Sequence, residues 1–155
     1  MVGLPVGGRR IAERLPPAEF GFRGTGLRRR LVDAVLREEK TGTAGLLVDY
    51  EREGDPLPQP GERFAVLDID DEPVGVIETV SVSVVRMADV GLEFAISEGE
   101  GFTTVAAWRA AHERFWGGYL DEIRAALGDP AWMLTDDTLI VCERFRLLEA
   151  FAPGE

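Results

Sequence analysis

The chain nearly lacks three residue types that carry much of protein chemistry. Among 155 residues there is one cysteine, one histidine and one lysine. A single cysteine, Cys142, excludes an intrachain disulfide and a multi-cysteine zinc cluster. It lies in the apolar run Leu139-Ile140-Val141-Cys142 and reads as a small buried hydrophobe. A single histidine, His112, excludes a multi-histidine metal centre and a two-histidine acid–base mechanism of RNA cleavage. A carboxylate-only Mg²⁺ or Ca²⁺ site stays open, but no calcium-loop spacing occurs, and neither a metal nor a cofactor is expected. There is no apolar run of membrane-spanning length and no charged-then-apolar leader, so no membrane partner is expected and the chain reads as cytoplasmic. Positive charge is also scarce. The formal net charge is −11 and the sequence pI is about 4.6. That argues against a large duplex-binding surface, which needs many phosphate contacts. A small positive cleft for one nucleotide or a short single strand remains compatible. The acidity is uneven, because Arg9, Arg10, Arg14, Arg23, Arg28, Arg29 and Arg30 crowd the first part of the chain.

Of the seventeen basic residues, every one but Lys40 is arginine. Lysine offers a compact ammonium whose pKa can be lowered by burial, whereas guanidinium stays protonated and planar. General-base or nucleophilic work needs that adjustability. The competing reading is chance survival of one lysine.

The length suits one domain with one core. Residues 1–24 are rich in Gly, Pro and Arg and read as an irregular arm with a helical turn near Ala12 to Leu15; residues 25–150 read as the domain. Leu27, Leu31, Val32, Val35 and Leu36 have helical spacing, predicting a helix over 26–38 with a solvated arginine face and Lys40 just beyond its end. The stretch 43–53 fits either a short helix capped by Thr43 or a strand. Residues 54–61 form a Pro/Gly loop. Strands are predicted over 63–68 and 74–85, joined by an acidic turn at Asp70-Asp71-Glu72. A helix is expected over 87–97, then a long helix over 104–126 capped by Thr103 or Thr104 and kinked at Gly117-Gly118. A closing strand follows over 138–147. The predicted class is α+β: a mostly antiparallel sheet curled into a barrel, flanked by helices.

Several segments together resemble the ASCH domain family, whose fold is a PUA-like β-barrel. They are Lys40-Thr41-Gly42-Thr43-Ala44, Asp49-Tyr50-Glu51, Leu57-Pro58-Gln59-Pro60-Gly61, Val66-Leu67-Asp68, Phe94-Ala95, Glu98-Gly99-Glu100-Gly101, Trp108-Arg109, His112 and Val141-Cys142-Glu143-Arg144-Phe145. The resemblance covers about residues 27–148. Gly42 stands where relatives often have alanine or a branched residue, a change expected to loosen that loop. The resemblance implies an RNA-related role: family members bind RNA, cleave single-stranded RNA, or, in a shorter branch, remove the acetyl group of acetylated cytidine. That last activity uses a lysine, a threonine three residues later and a distant glutamate, which Lys40, Thr43 and Glu98 match. The Glu-Gly-Glu-Gly and Trp-Arg segments make this chain look closer to the longer branch.

Physical reasoning sets conditions on these residues. Side chains alternate along a strand, so Lys40 and Thr43 converge only if 40–43 is not all strand. Thr43 is a nucleophile only with a base to take its proton; otherwise it is a cap. Lys40 is that base if its pKa falls far, but a nearby Glu98 pushes the pKa up, so a charged Lys40 stabilising an oxyanion is the alternative. Glu98 and Glu100 otherwise belong to a solvated loop. Tyr50, Glu100, Trp108, Arg109 and His112 are the candidate ligand contacts, since aromatic and guanidinium planes stack on unpaired bases. The competing reading makes Trp108 and Phe115 a core stripe and His112 a structural residue. The expected function is a cleft for single-stranded RNA or an RNA-derived nucleotide or nucleoside, hydrolytic in one version and a non-catalytic RNA-binding or regulatory module in the other.

Overall fold

The computed structural model describes residues 9–151, so the start of the expected arm lies outside the described residues. The elements run β1 (Pro17–Ala18), α1 (Gly26–Leu36), β2 (Gly42–Leu46), α2 (Leu47–Glu53), β3 (Arg63–Leu67), β4 (Pro73–Arg86), a 3₁₀ turn (Met87–Asp89), α3 (Leu92–Ser97), α4 (Val105–Gly117), α5 (Leu120–Leu127) and β5 (Leu139–Ala150). The strands form one five-stranded sheet in the order β1-β3-β4-β5-β2. All pairings are antiparallel except β1 with β3, which is parallel. The fold is α+β, a curled half-barrel flanked by helices. Its curvature has a local cause. Register shifts at Val76/Ile77 and Thr79/Ser81 put extra residues into the long β4–β5 ladder, and such bulges bend and twist a strand. No helix among the described residues is long and apolar enough to cross a membrane.

The strands fall where alternation and β-branching place them, but several boundaries move. Residues 43–53 are strand and then helix in succession. Thr43 therefore lies inside β2 and caps nothing; the residue before α2 is Leu46, with no side-chain cap. The expected helix over 87–97 divides at Val90-Gly91, where both residues have extended backbone, so a 3₁₀ turn precedes a separate α3. The long helix is capped by Thr104, whose Oγ1 accepts from the Ala107 amide at 3.1 Å. It breaks at Gly117-Gly118 rather than kinking, and α5 starts afresh after Tyr119.

The two larger of three apolar clusters flank the sheet. Phe20, Val32, Val35, Val66, Ile77 and Phe145 pack α1 on one side. Leu46, Phe94, Trp108, Trp116, Ile123 and Ile140 belong to the larger cluster under α3, α4 and α5. Cys142 is buried in the latter, and burial pushes its thiol up to about 12, leaving it an unreactive core residue.

One arginine of the expected solvated face is not solvated. Arg28 is 2% exposed and donates to Asp71 Oδ1 at 2.5 Å and to the Gly21 carbonyl at 3.1 Å. It thereby clamps the arm to the β3–β4 turn. Helical periodicity shows which face is apolar, but not that a neighbouring segment will cover the edge of the polar one. Arg28→Met is expected to cost about 2–3 kcal/mol, the scale of lost charge-assisted hydrogen bonds. Limited proteolysis should then cut faster around residues 21–24; an unchanged digestion rate would show that the clamp does not hold the arm.

Candidate functional site

Lys40 follows α1 and precedes β2, so strand alternation does not govern it. It is 2% exposed, as is Glu98. The ammonium donates to the Gly42 carbonyl at 2.8 Å, the Glu98 carbonyl at 3.3 Å and Glu98 Oε1 at 3.5 Å. Three acceptors for three protons define a charged ammonium with no lone pair to act as a base. The Phe20 ring lies 5.8 Å away, a cation–π contact from the arm-side segment.

Glu98 reaches Lys40 because of the residue after it. Gly99 has φ +67°, and a Cβ there would run into the Glu39 carbonyl oxygen and come within 2.7 Å of Lys40 Cα. Glycine alone lets the 98–101 loop lie flat on the 39–40 backbone. Gly42 is explained in the same way. A Cβ at that position would meet Ser97 Oγ, so the missing side chain lets the start of β2 lie close against α3.

The other oxygen of Glu98 faces α4. Glu98 Oε2 accepts a hydrogen bond from Trp108 Nε1 and lies 3.1 Å from His112 Nε2. His112 Nδ1 lies 2.8 Å from the Trp108 carbonyl. Both imidazole nitrogens thus face acceptors, the arrangement of a doubly protonated ring. Burial works against that charge, but the Glu98 bond and its negative charge prevail, and the His112 pKa is raised. For Glu98, burial raises the pKa while His112, Lys40 and Trp108 lower it, and the lowering wins. The Trp108 ring also stacks on His112 at 4.3 Å.

Glu98, Glu100 and His112 bring three ligand-type atoms within 4.8 Å of one another. Their bonding does not suit a cation. Both Glu98 oxygens already take donors, His112 has no free nitrogen lone pair, and the Lys40 charge stands beside them. Glu100 sits at the exposed outer edge of this group, and its carboxyl is nevertheless raised, by burial first.

The remaining predicted residues divide. Thr43 is half-buried on β2, directly across from Glu143 of β5. Tyr50 packs its ring over Gly45 on the same strand, 3.3 Å from where a Cβ would be. Burial, then Glu143, pushes the Tyr50 hydroxyl up to about 12. Trp108 is fully buried, so it orients Glu98 rather than offering a face to a base. Arg109 is not in the cluster. It pairs with Asp136 at 2.5 Å and Glu113 at 3.3 Å. Two shallow surface grooves, one beside Ser81, Ser83 and Arg144 and one beside Val48, Trp132 and Met133, include none of the predicted site residues.

Sequence reasoning missed Glu143, Thr79 and Phe20. Glu143 is 8% exposed, and its Oε2 accepts from Thr79 Oγ1 at 2.7 Å. A signal for it existed: Val141, Glu143 and Phe145 occupy alternate positions of one strand, placing a carboxylate between two apolar residues on one face. For Thr79 and Phe20 nothing local distinguished them from ordinary sheet and arm residues.

Residues 19–149 match the family model for the ASCH domain, and the chain belongs to the ASCH domain family. Two crystal structures resemble it over nearly their whole length. An Enterococcus faecalis protein is 25% identical with a TM-score of 0.76, covering 96% of this chain and 88% of its own. An ASCH domain from Lactobacillus crispatus is 28% identical with a TM-score of 0.74, covering 94% of this chain and 90% of its own. No curated protein matches the chain significantly.

Proposed function

We propose that this ASCH protein is a hydrolase acting on an RNA-derived nucleoside or nucleotide, with an acyl amide on the base as the substrate class. The observation that carries the reading is the buried Lys40–Glu98 pair, extended to His112 and Trp108. Desolvating two charges costs several kcal/mol per ion, and such pairs are weak contributors to stability. Clusters of perturbed groups concentrate at functional sites. Here the cluster includes the exposed Glu100, and Lys40 also acts on Glu143, which faces the half-buried Thr43 across the β2–β5 ladder. The positive charge of Lys40, whose protons are all held by acceptors of the chain, acts through its field on the oxyanion that forms as the acyl carbon is attacked. Thr43 supplies the attacking oxygen. A single nucleoside fits better than a long strand, because Arg28, Arg63, Arg86, Arg109, Arg144 and Arg146 are all engaged by carboxylates of the same chain.

Acetate release from acetylcytidine tests the reading. The wild type should turn over, and Lys40→Arg should lose about 100-fold, the scale on which a preorganised electrostatic contribution is lost. A planar guanidinium keeps the charge but cannot reproduce the three-acceptor geometry. Equal activity of wild type and Lys40→Ala would remove this lysine from the mechanism. Nucleoside or single-stranded RNA binding by a wild type without turnover would place the protein among binding modules instead.

A further inference from the structure

We propose that Glu143 is the general base of this site and takes the proton of the Thr43 hydroxyl. The inference rests on the hydrolase reading above and assigns the one role that reading leaves open. Thr43 needs a base to become a nucleophile. The three titratable groups of the buried cluster are all committed. Lys40 has three acceptors for its three protons. Glu98 receives donors on both oxygens. His112 has an acceptor facing each nitrogen.

Glu143 is placed differently. It is the direct cross-strand partner of Thr43, and opposed residues of an antiparallel pair project from the same face with Cβ atoms about 4.5–5.5 Å apart. Its Oε2 is held by the Thr79 hydroxyl at 2.7 Å, which fixes the carboxylate's orientation. Its Oε1 accepts no hydrogen bond from the described residues, so one oxygen remains for a reacting proton. Lys40, Glu62 and Tyr50 are the titratable groups that face it. Burial raises its pKa toward the working range of a general base, with Thr79 and Lys40 opposing that rise.

The chemistry balances with water as the only co-reactant. Glu143 takes the proton of Thr43 Oγ1 as that oxygen bonds to the acyl carbon. The protonated carboxyl then gives the proton to the leaving amine nitrogen as the C–N bond breaks. In the second half, Glu143 takes a proton from water as the water oxygen bonds to the acyl carbon. The bond from the acyl carbon to Oγ1 breaks, and Oγ1 recovers the proton from Glu143. The net change is amide plus water to carboxylic acid plus amine.

The test uses acetylcytidine turnover by the full chain across pH, with thermal unfolding recorded for every variant. Glu143→Gln keeps the size and an oxygen for Thr79 and should lower kcat by about 100-fold or more. Thr79→Val removes a hydrogen bond that favours the charged carboxylate. Its acid limb in kcat/KM should therefore move to higher pH, while Thr79→Ser restores it; a merely structural role would not move that limb. A Glu143→Gln variant as active as wild type overturns the proposal while leaving the hydrolase reading intact. So does an acid limb unchanged in a folded Thr79→Val. A wild type that does not hydrolyse the substrate overturns both together.

Discussion

Glu98→Gln is expected to destabilise the folded protein by about 3–5 kcal/mol, the cost of leaving a buried charge without its partner. For a chain of this length that corresponds to a drop in Tm on the order of 10 °C. The amide cannot serve the three donors that converge on the carboxylate. Lys40, Trp108 Nε1 and His112 Nε2 all point at it, and an amide presents one acceptor and one further donor. The wild type should also show a particular pH dependence. The Glu98 pKa is lowered from 4.5, so its contribution is present above that value and is lost as pH falls through the folded pKa. The His112 pKa is raised from 6.5, so its contribution is complete below that value and is lost as pH rises through the folded pKa. Stability from this cluster therefore peaks between the two. In Glu98→Gln the carboxylate that raises His112 is gone, and burial then disfavours the imidazolium. The fall in stability above pH 6.5 should disappear. Chemical denaturation at several pH values measures both effects, and a variant that keeps the wild-type pH profile would refute the linked cluster.

Gly99→Ala is expected to cost about 2–5 kcal/mol. Part of this, about 1–2 kcal/mol, is the left-handed backbone at φ +67°. The rest is overpacking, which costs about 1–3 kcal/mol where neighbours cannot move. The atoms a Cβ would meet are backbone atoms of Glu39 and Lys40, not flexible side-chain ends. The loop must lift, and the Lys40 bonds to Glu98 lengthen with it. Gly101→Ala is the control. It has φ +83° and no atom within 4 Å of a Cβ, so only the backbone term of about 1–2 kcal/mol applies. Equal losses at both positions would show that contact with the 39–40 backbone contributes nothing.

The sequence alone determined the pieces. Alternation and β-branching marked β3, β4 and β5, and the 3.6-residue spacing of Leu27, Leu31, Val35 and Leu36 marked α1. Those signals are local, since each arises from one segment's need to turn an apolar face inward. The lone lysine and the Glu-Gly-Glu-Gly segment drew attention to Lys40 and Glu98, and the ASCH resemblance tied them together. Only the tertiary structure decided what these residues touch. Lys40 and Glu98 are 58 positions apart, and they meet because a glycine lets two backbones touch. Glu143 faces Thr43 because of the register between β2 and β5, which no single segment specifies. Trp108, Arg109 and His112 share a helix, yet the first orients a carboxylate, the second pairs outward with Asp136, and the third is held between Glu98 and the Trp108 carbonyl. Charge, burial and hydrogen bonding depend on what lies across the fold, so the contacts of these residues were settled by packing partners distant in the chain.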